Sequence, residues 1–186
     1  MSSLVHLEKS LRIMIIYRSD KVSFFFVFYF LINFQLRADI ENNNRLIGQS
    51  SPPISLQKLN GRNHLHIEDV SKNYNIVLVF FSSKNNQSLK MVSDLHQIKA
   101  GIISTSVQYY LVNVFEDKEF LDSFINKKVF SIPVLMDHYG VALKMFDSDV
   151  IPLTVVINKG GEISYYNQGY DDSELFNLIT HIRSII

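Results

Sequence analysis

The chain has 186 residues, a formal net charge of zero and no cysteine. Its 47% hydrophobic and 19% charged residues are typical of a globular protein and exclude a disordered chain. The lack of cysteine excludes disulfide bonds, thiolate catalysis and cysteine-ligated metal sites.

The charge is divided unevenly along the chain. Residues 1–38 hold five basic and two acidic side chains, a net of +3, whereas residues 39–186 hold 13 basic and 16 acidic ones, a net of −3. An acidic body lacks the basic surface with which proteins bind nucleic acid, so no nucleic-acid partner is predicted.

An apolar segment near the N-terminus, residues 22–36, has the sequence "VSFFFVFYFLINFQL" and follows Arg18 and Lys21. A basic flank, an apolar stretch and a small residue, here Ala38, are typical of an export signal. Residues 1–38 are therefore predicted to be a signal peptide or an N-terminal membrane anchor.

The sequence leaves two points about this segment open. Translation from Met14 instead of Met1 gives a signal of about 25 residues, within the usual range. A retained anchor is the alternative to a cleaved signal, although 15 residues fall short of the ~17–25 of a spanning helix; a buried core helix is a third. Both main alternatives place residues 39–186 outside the cytoplasm, with membrane contact only through residues 22–36 if these are retained.

Residues 39–53 ("DIENNNRLIGQSSPP") form a predicted polar linker, because its two prolines end any regular structure. The predicted domain, residues 54–186, opens with two short alternating strands that are joined at Asn60-Gly61, a favoured hairpin turn.

The middle of the chain alternates strands with helices. "NIVLVFF" (75–81) is a continuous apolar run that predicts a strand buried on both faces. Apolar residues at helical spacing predict a helix over 88–100 with Gly101 as its C-terminal cap. "VQYYLVNV" (107–114) predicts a strand, and "DKEFLDSFINKK" (117–128) predicts a helix.

The last third adds further elements in the same alternation. Strands are predicted over 132–137, 151–157 and 163–169, a short helix over 141–146, and a closing amphipathic helix over 171–186. The element order predicts an α/β fold in which a central mixed sheet has helices on both faces.

Two stretches carry a resemblance to a known family. Residues 47–95, from "IGQSSPPISLQKLNG" to "KNNQSLKMVSDL", resemble the opening of thioredoxin-like redoxins, with a hairpin, an apolar strand and a turn that opens a helix. "VFSIPVLMDHYGVALKMFDSDVIPLTVVINKGGEISYYNQG" is similar to their second half. The group is typified by the exported or membrane-tethered thiol-disulfide oxidoreductases of cytochrome c maturation, so the resemblance implies a thioredoxin-like fold.

The resemblance also implies where a functional site lies. The two cysteines of the family's dithiol fall on Asn85 and Ser88, and the proline that faces the dithiol, cis in the family, falls on Pro152. Thiol–disulfide exchange needs a thiolate and a resolving thiol, so this chain cannot complete it alone. The predicted peptide-binding groove consists of Lys84, Asn85, Asn86, Gln87, Ser88, Ile151 and Pro152.

Other chemistry at or near this site is weakly indicated. Ser88 has no histidine in a triad-like motif, and a role as a helix cap or first-turn residue, with its hydroxyl bound to a free amide, is the preferred interpretation. His64 and His66 lie on one side of a predicted strand, but the sequence places no third ligand with them. No metal, cofactor or catalytic residue is predicted.

Three hypotheses about function follow from these residues. The first is an exported, redox-inactive module that binds a polypeptide or an envelope-assembly partner in the groove. The second is a redoxin-type oxidoreductase or antioxidant that uses a thiol or cofactor supplied in trans. The third is a passive structural subunit of an envelope assembly.

Overall fold

The computed structural model describes residues 45–125 and 131–186. The predicted signal or anchor, residues 39–44 of the predicted linker and the last residues of the helix predicted over 117–128 lie outside these ranges. Within the described ranges, none of the helices combines the length and the apolar character that crossing a membrane requires.

The described residues form one seven-stranded sheet with helices on both faces, which confirms the predicted fold class. The strands are β1 (Ser55–Lys58), β2 (His64–His66), β3 (Asn75–Phe81), β4 (Val107–Val114), β5 (Val134–Asp137), β6 (Leu153–Ile157) and β7 (Ile163–Gln168). The helices are α1 (Ile67–Ser71), α2 (Asn86–Gly101), α3 (Lys118–Ile125), α4 (Val141–Met145) and α5 (Asp172–Ser184).

The sheet has the strand order β2-β1-β5-β4-β3-β6-β7. β3, β4 and β5 are parallel, and all other neighbours are antiparallel. Because parallel strands end at the same edge of a sheet, the loops after β3, β4 and β5 lie on one side of the molecule. β6 pairs with β3 in the opposite direction, so its first residues lie at that same edge.

The central strand β3 is buried along its whole length, as its continuous apolar run predicts. Its side chains alternate between the two faces of the sheet. Val77, Val79 and Phe81 pack in the core cluster that includes residues of α2, α3 and α5. Ile76, Leu78 and Phe80 pack in the cluster that includes residues of α1 and α4.

Three local predictions differ from the structure. Helix α1 is not among the predicted elements, because five residues are too short for a helical period to be visible. Helix α2 begins two residues before its predicted start, and Gly101 is its last residue; the C-cap is Ile102, whose amide donates to Ile98. The described end of the predicted linker pairs with the start of β7, through Gly48 N to Ile163 O at 2.8 Å.

Candidate functional site

The two parts of the predicted groove meet at the edge of the sheet where β3 ends. Residues 82–88, here called the tip segment, connect β3 to α2 and form the first turn of that helix. Ile151 and Pro152 directly precede β6, whose Leu153 pairs with Phe80 of β3. The strand register therefore brings the tip segment beside Ile151-Pro152.

Asn85 connects the two parts. It is the N-cap of α2, with extended backbone angles (φ −110°, ψ 120°), and its Oδ1 accepts a hydrogen bond from Ser88 N at 2.9 Å. Its Nδ2 donates to Ile151 O at 3.4 Å, a long hydrogen bond. Both terminal atoms of the Asn85 carboxamide are thus hydrogen-bonded within the domain, and the residue is half-buried.

Ser88 is the third helical residue of α2 and has no exposed surface. Its hydroxyl has no hydrogen-bond partner within the described residues, so the prediction that this hydroxyl satisfies a helix amide is wrong. Asn85 performs the capping instead. A buried hydroxyl with no basic partner cannot act as a nucleophile, and His96 is bound elsewhere, through Nδ1 to Val92 O at 2.7 Å.

The outer surface of the tip segment is polar and exposed. Lys84, Asn86 and Gln87 are all exposed. The ammonium group of Lys84 lies 5.3 Å from the ring centroid of Phe120, within the range of a cation–π contact. The two carboxamides offer both donors and acceptors, the same groups that a peptide backbone carries.

The Ile151-Pro152 peptide bond is cis, as the resemblance implies. Pro152 is buried, and its carbonyl accepts from Gly169 N at 2.8 Å. Ile151 is half-buried, and its amide N–H donates to no group within the described residues. Apart from the long bond to Asn85, the backbone N–H and C=O of Ile151 therefore have no hydrogen-bond partner within the described residues.

Glu116 is a buried carboxylate beneath the tip segment that the sequence does not predict as part of the site. Its Oε1 accepts from Ser82 Oγ at 2.6 Å and from Ser83 N at 2.9 Å, and its Oε2 accepts from Asn113 Nδ2 at 2.8 Å. The one signal in the sequence that could have indicated it is an acidic residue two positions after the end of the buried strand β4.

Exposed aromatic side chains follow β4 and β5, at the same edge of the sheet as the predicted groove. Phe115 follows β4 and is 56% exposed, and Tyr139 follows β5 and is 85% exposed. Phe115 has a left-handed backbone (φ 64°), and its ring lies against Gly140. These aromatic residues are not part of the predicted site, because nothing in their spacing separates them from core residues.

The two histidines with the spacing of metal ligands lie on β2, the edge strand at the far end of the sheet order from β7. His64 and His66 are exposed on the edge strand β2. In the part of the chain that the structure describes, no group of three or more His, Cys, Asp or Glu side chains is arranged to hold a metal ion.

The sheet, the helix that follows β3 and the proline before β6 define the class: the domain has a thioredoxin-like fold. Among similar solved structures, a putative thiol:disulfide interchange protein DsbE from Chlorobium tepidum has a TM-score of 0.68 and 16% identity, over 75% of this chain and 96% of that chain. A putative protein disulfide isomerase from Bacteroides thetaiotaomicron has a TM-score of 0.67 and 15% identity, over 75% and 89%. StoA from Bacillus subtilis has a TM-score of 0.58 and 22% identity, over 70% and 98%.

The resemblance is therefore confirmed at the level of the fold, for a chain that has no cysteine. A scan against protein-family models gives no match, and a search of curated proteins gives no significant one.

Proposed function

We propose that this thioredoxin-like domain is a redox-inactive binding module that holds an extended polypeptide in the groove between the tip segment and Ile151-Pro152. The observation that carries the proposal is the unpaired backbone edge of Ile151 beside a surface of exposed carboxamides. An extended peptide binds such an edge through its own backbone, in the manner of an added β-strand.

The chemistry of Asn85 and Ser88, the two positions on which the resemblance places the family's cysteines, supports binding without catalysis. Asn85 carries no group that ionises near neutral pH, and Ser88 is fully buried. Asn85 has a structural role, because its side chain caps α2. The Ser88 side chain makes no hydrogen bond within the described residues. The fold of an oxidoreductase is thus combined with a site that lacks its reactive atoms.

The hydrogen-bonding capacity of the groove fits a peptide backbone. Ile151 offers an amide donor and a carbonyl that retains acceptor capacity beside its long bond to Asn85. Asn86 and Gln87 add donors and acceptors at the exposed rim. Recognition through backbone groups would tolerate many peptide sequences, with side-chain contacts supplying selectivity.

A second element of the proposal is export of the domain. It is supported by the basic and apolar pattern of residues 18–38, which is typical of an export signal. Fusion of residues 1–38 to a reporter that is active only outside the cytoplasm tests this. Active reporter is the expected result, and activity equal to that of a fusion without residues 1–38 would contradict export.

The binding proposal is tested with a display library of random, cysteine-free peptides and the full chain. We expect enriched peptides, and weaker binding of them by an Asn86→Ala/Gln87→Ala variant, by about 2- to 10-fold for hydrogen bonds of ordinary strength. Single N-methylation of an enriched peptide should reduce binding at alternate positions, because only alternate amides of a strand face its neighbour.

The matched control is His64→Ala/His66→Ala, which alters two exposed side chains on the edge strand β2, at the far side of the sheet from β6. This variant should bind the peptides as the wild type does. If no peptide is enriched, the proposal is contradicted and a structural subunit is favoured. The same holds if the control variant loses peptide binding while the Asn86→Ala/Gln87→Ala variant keeps it.

A further inference from the structure

We infer that Glu116 is the positioning residue of the groove, because its buried carboxylate fixes the tip segment from beneath. The inference concerns how the loop is held, and its consequence for peptide binding rests on the proposed function. Glu116 lies 33 and 34 positions from the loop residues Ser83 and Ser82 to which it is bonded.

The contacts of Glu116 concentrate on the first two residues after β3. One carboxylate oxygen, Oε1, accepts from both the hydroxyl of Ser82 and the amide of Ser83. The Ser82 hydroxyl oxygen in turn accepts from Lys84 N at 3.2 Å, which extends the network to the residue before Asn85. These bonds hold Ser82, Ser83 and Lys84, the three residues that precede the helix cap Asn85.

The same residue is also held from the side of β5. The carbonyl oxygen of Glu116 lies 3.0 Å from Nδ1 of His138, and the amide of Phe115 donates to Asp137 O at 3.3 Å. The left-handed backbone of Phe115 turns the chain at this point. Glu116 therefore connects the loops after β3, β4 and β5 at the edge of the sheet where the groove lies.

The physical reason for a carboxylate at this position is the set of donors that it satisfies. Hydrogen bonds to a charged group are stronger than those between neutral groups. A buried donor that loses its acceptor is costly, so an apolar residue at 116 would leave the Ser82 hydroxyl and the Ser83 amide unsatisfied. The loop would then open toward water more often than the rest of the domain.

Limited proteolysis of the folded, full chain measures this opening directly, because trypsin cleaves after Lys84 only when the loop is locally unfolded. Lys159, exposed in the turn between β6 and β7, is the internal reference site. In Glu116→Met we expect the ratio of cleavage at Lys84 to cleavage at Lys159 to rise by about tenfold or more. In Glu116→Gln, Oε1 still accepts from Ser82 and Ser83, but the acceptor is neutral and the amide nitrogen no longer accepts from Asn113 Nδ2. The ratio should therefore rise, but by less than in Glu116→Met.

A third variant keeps the test valid if Glu116→Met does not fold. Ser82→Ala removes one of the three side-chain or backbone donors to Glu116, and the ratio should rise by about 2- to 10-fold. Leu178→Ala, a buried position on α5, is the control for general destabilisation. It should increase cleavage at both lysines and leave their ratio unchanged.

An unchanged ratio in Glu116→Met and Ser82→Ala, or an equal rise in Leu178→Ala, would overturn the positioning role. A rise in Glu116→Gln as large as in Glu116→Met would also overturn it, because retained acceptor geometry would then make no difference. No peptide is used in this measurement. The positioning role and the proposed peptide binding therefore fail by separate observations.

Discussion

Asn85 Nδ2 lies 3.4 Å from the carbonyl oxygen of Ile151, a residue 66 positions further along the chain. The same side chain caps helix α2 through its other terminal atom, Oδ1. One carboxamide therefore joins the helix N-terminus to the segment before β6, at the position where the resemblance implies a nucleophilic cysteine.

The two bonds of Asn85 can be separated by substitution. Asn85→Ala loses the cap and should lower the free energy of unfolding by about 1 kcal/mol. Asn85→Asp keeps an acceptor for Ser88 N, which also suits the positive end of the helix dipole, and should stay within about 0.5 kcal/mol of the wild type. Urea unfolding of the three proteins measures both values.

Asn86→Ala is the neighbouring control, because Asn86 is exposed and has no capping role. Its free energy of unfolding should match that of the wild type. If Asn85→Asp were as unstable as Asn85→Ala, the long bond to Ile151 would be the dominant contribution of Asn85, contrary to the weakness expected at 3.4 Å.

The purified full chain should not accelerate reduction of a model disulfide beyond a control without protein. Exchange requires a thiolate and a resolving thiol, and this chain has no cysteine. Asn85→Cys/Ser88→Cys should restore activity, because a thiol at a helix N-terminus has a lowered pKa. Asn85→Cys alone should form mixed disulfides without turnover, and turnover by the wild type would instead support a thiol or cofactor supplied in trans.

His181 on α5 predicts a pH dependence of stability. Burial lowers the pKa of His181, whose Nε2 lies 3.0 Å from Ser164 Oγ and whose ring packs beside Tyr165. As the pH falls, the unfolded chain therefore binds the proton first. The associated stability is complete above about pH 6.5 and is lost progressively below that value.

The measurement is the free energy of unfolding between about pH 5 and 7 for the wild type and His181→Gln. The variant should show a shallower decrease toward low pH. Glu174, which accepts from the Tyr165 hydroxyl at 2.7 Å, is the nearby carboxylate and is present in both proteins. His64→Gln, at an exposed position, should keep the wild-type slope, and an unchanged slope in His181→Gln would contradict the assignment.

The sequence predicts those features that depend on local pattern. A continuous apolar run such as residues 75–81 is visible without any tertiary information, and it proved to be the fully buried central strand. The resemblance placed the tip segment and Pro152 at one edge of the sheet, and they lie there in the structure. Their use as a binding groove stays a prediction. The sequence predicts Ser88 as either the cap or a first-turn residue of α2, because Asn and Ser both suit an N-cap; in the structure Asn85 is the cap and Ser88 lies in the first turn.

The features that were missed depend on contacts between distant parts of the chain. The carboxylate of Glu116 is bonded to residues more than 30 positions away, and no periodicity or motif marks such a pair. The pairing of Gly48 with Ile163 is of the same kind, and its polar, proline-rich surroundings gave no sign of a strand. Registers between distant segments are fixed by the complete fold.

Gly140 and Phe115 form a pair whose coupling can be measured. A Cβ atom at Gly140 would lie 2.4 Å from Cε1 of Phe115, and Gly140 has a φ of +67°. Gly140→Ala should therefore lower the free energy of unfolding by more than the ~1–2 kcal/mol that a left-handed backbone alone costs an L-residue. The excess is the cost of displacing the Phe115 ring.

A double-mutant cycle with Phe115→Ala isolates that excess, because the shortened side chain removes the clash and leaves the backbone conformation of residue 140 as it is. The double variant should be more stable than the sum of the single effects by at least about 0.5 kcal/mol. Gly101→Ala is the matched control: its Cβ would meet nothing within 4 Å, and it should be neutral or stabilise by up to about 1 kcal/mol. Additive effects at residues 115 and 140 would mean that the exposed Phe115 ring can move aside freely, and the loops after β4 and β5 would then not be held together by this contact.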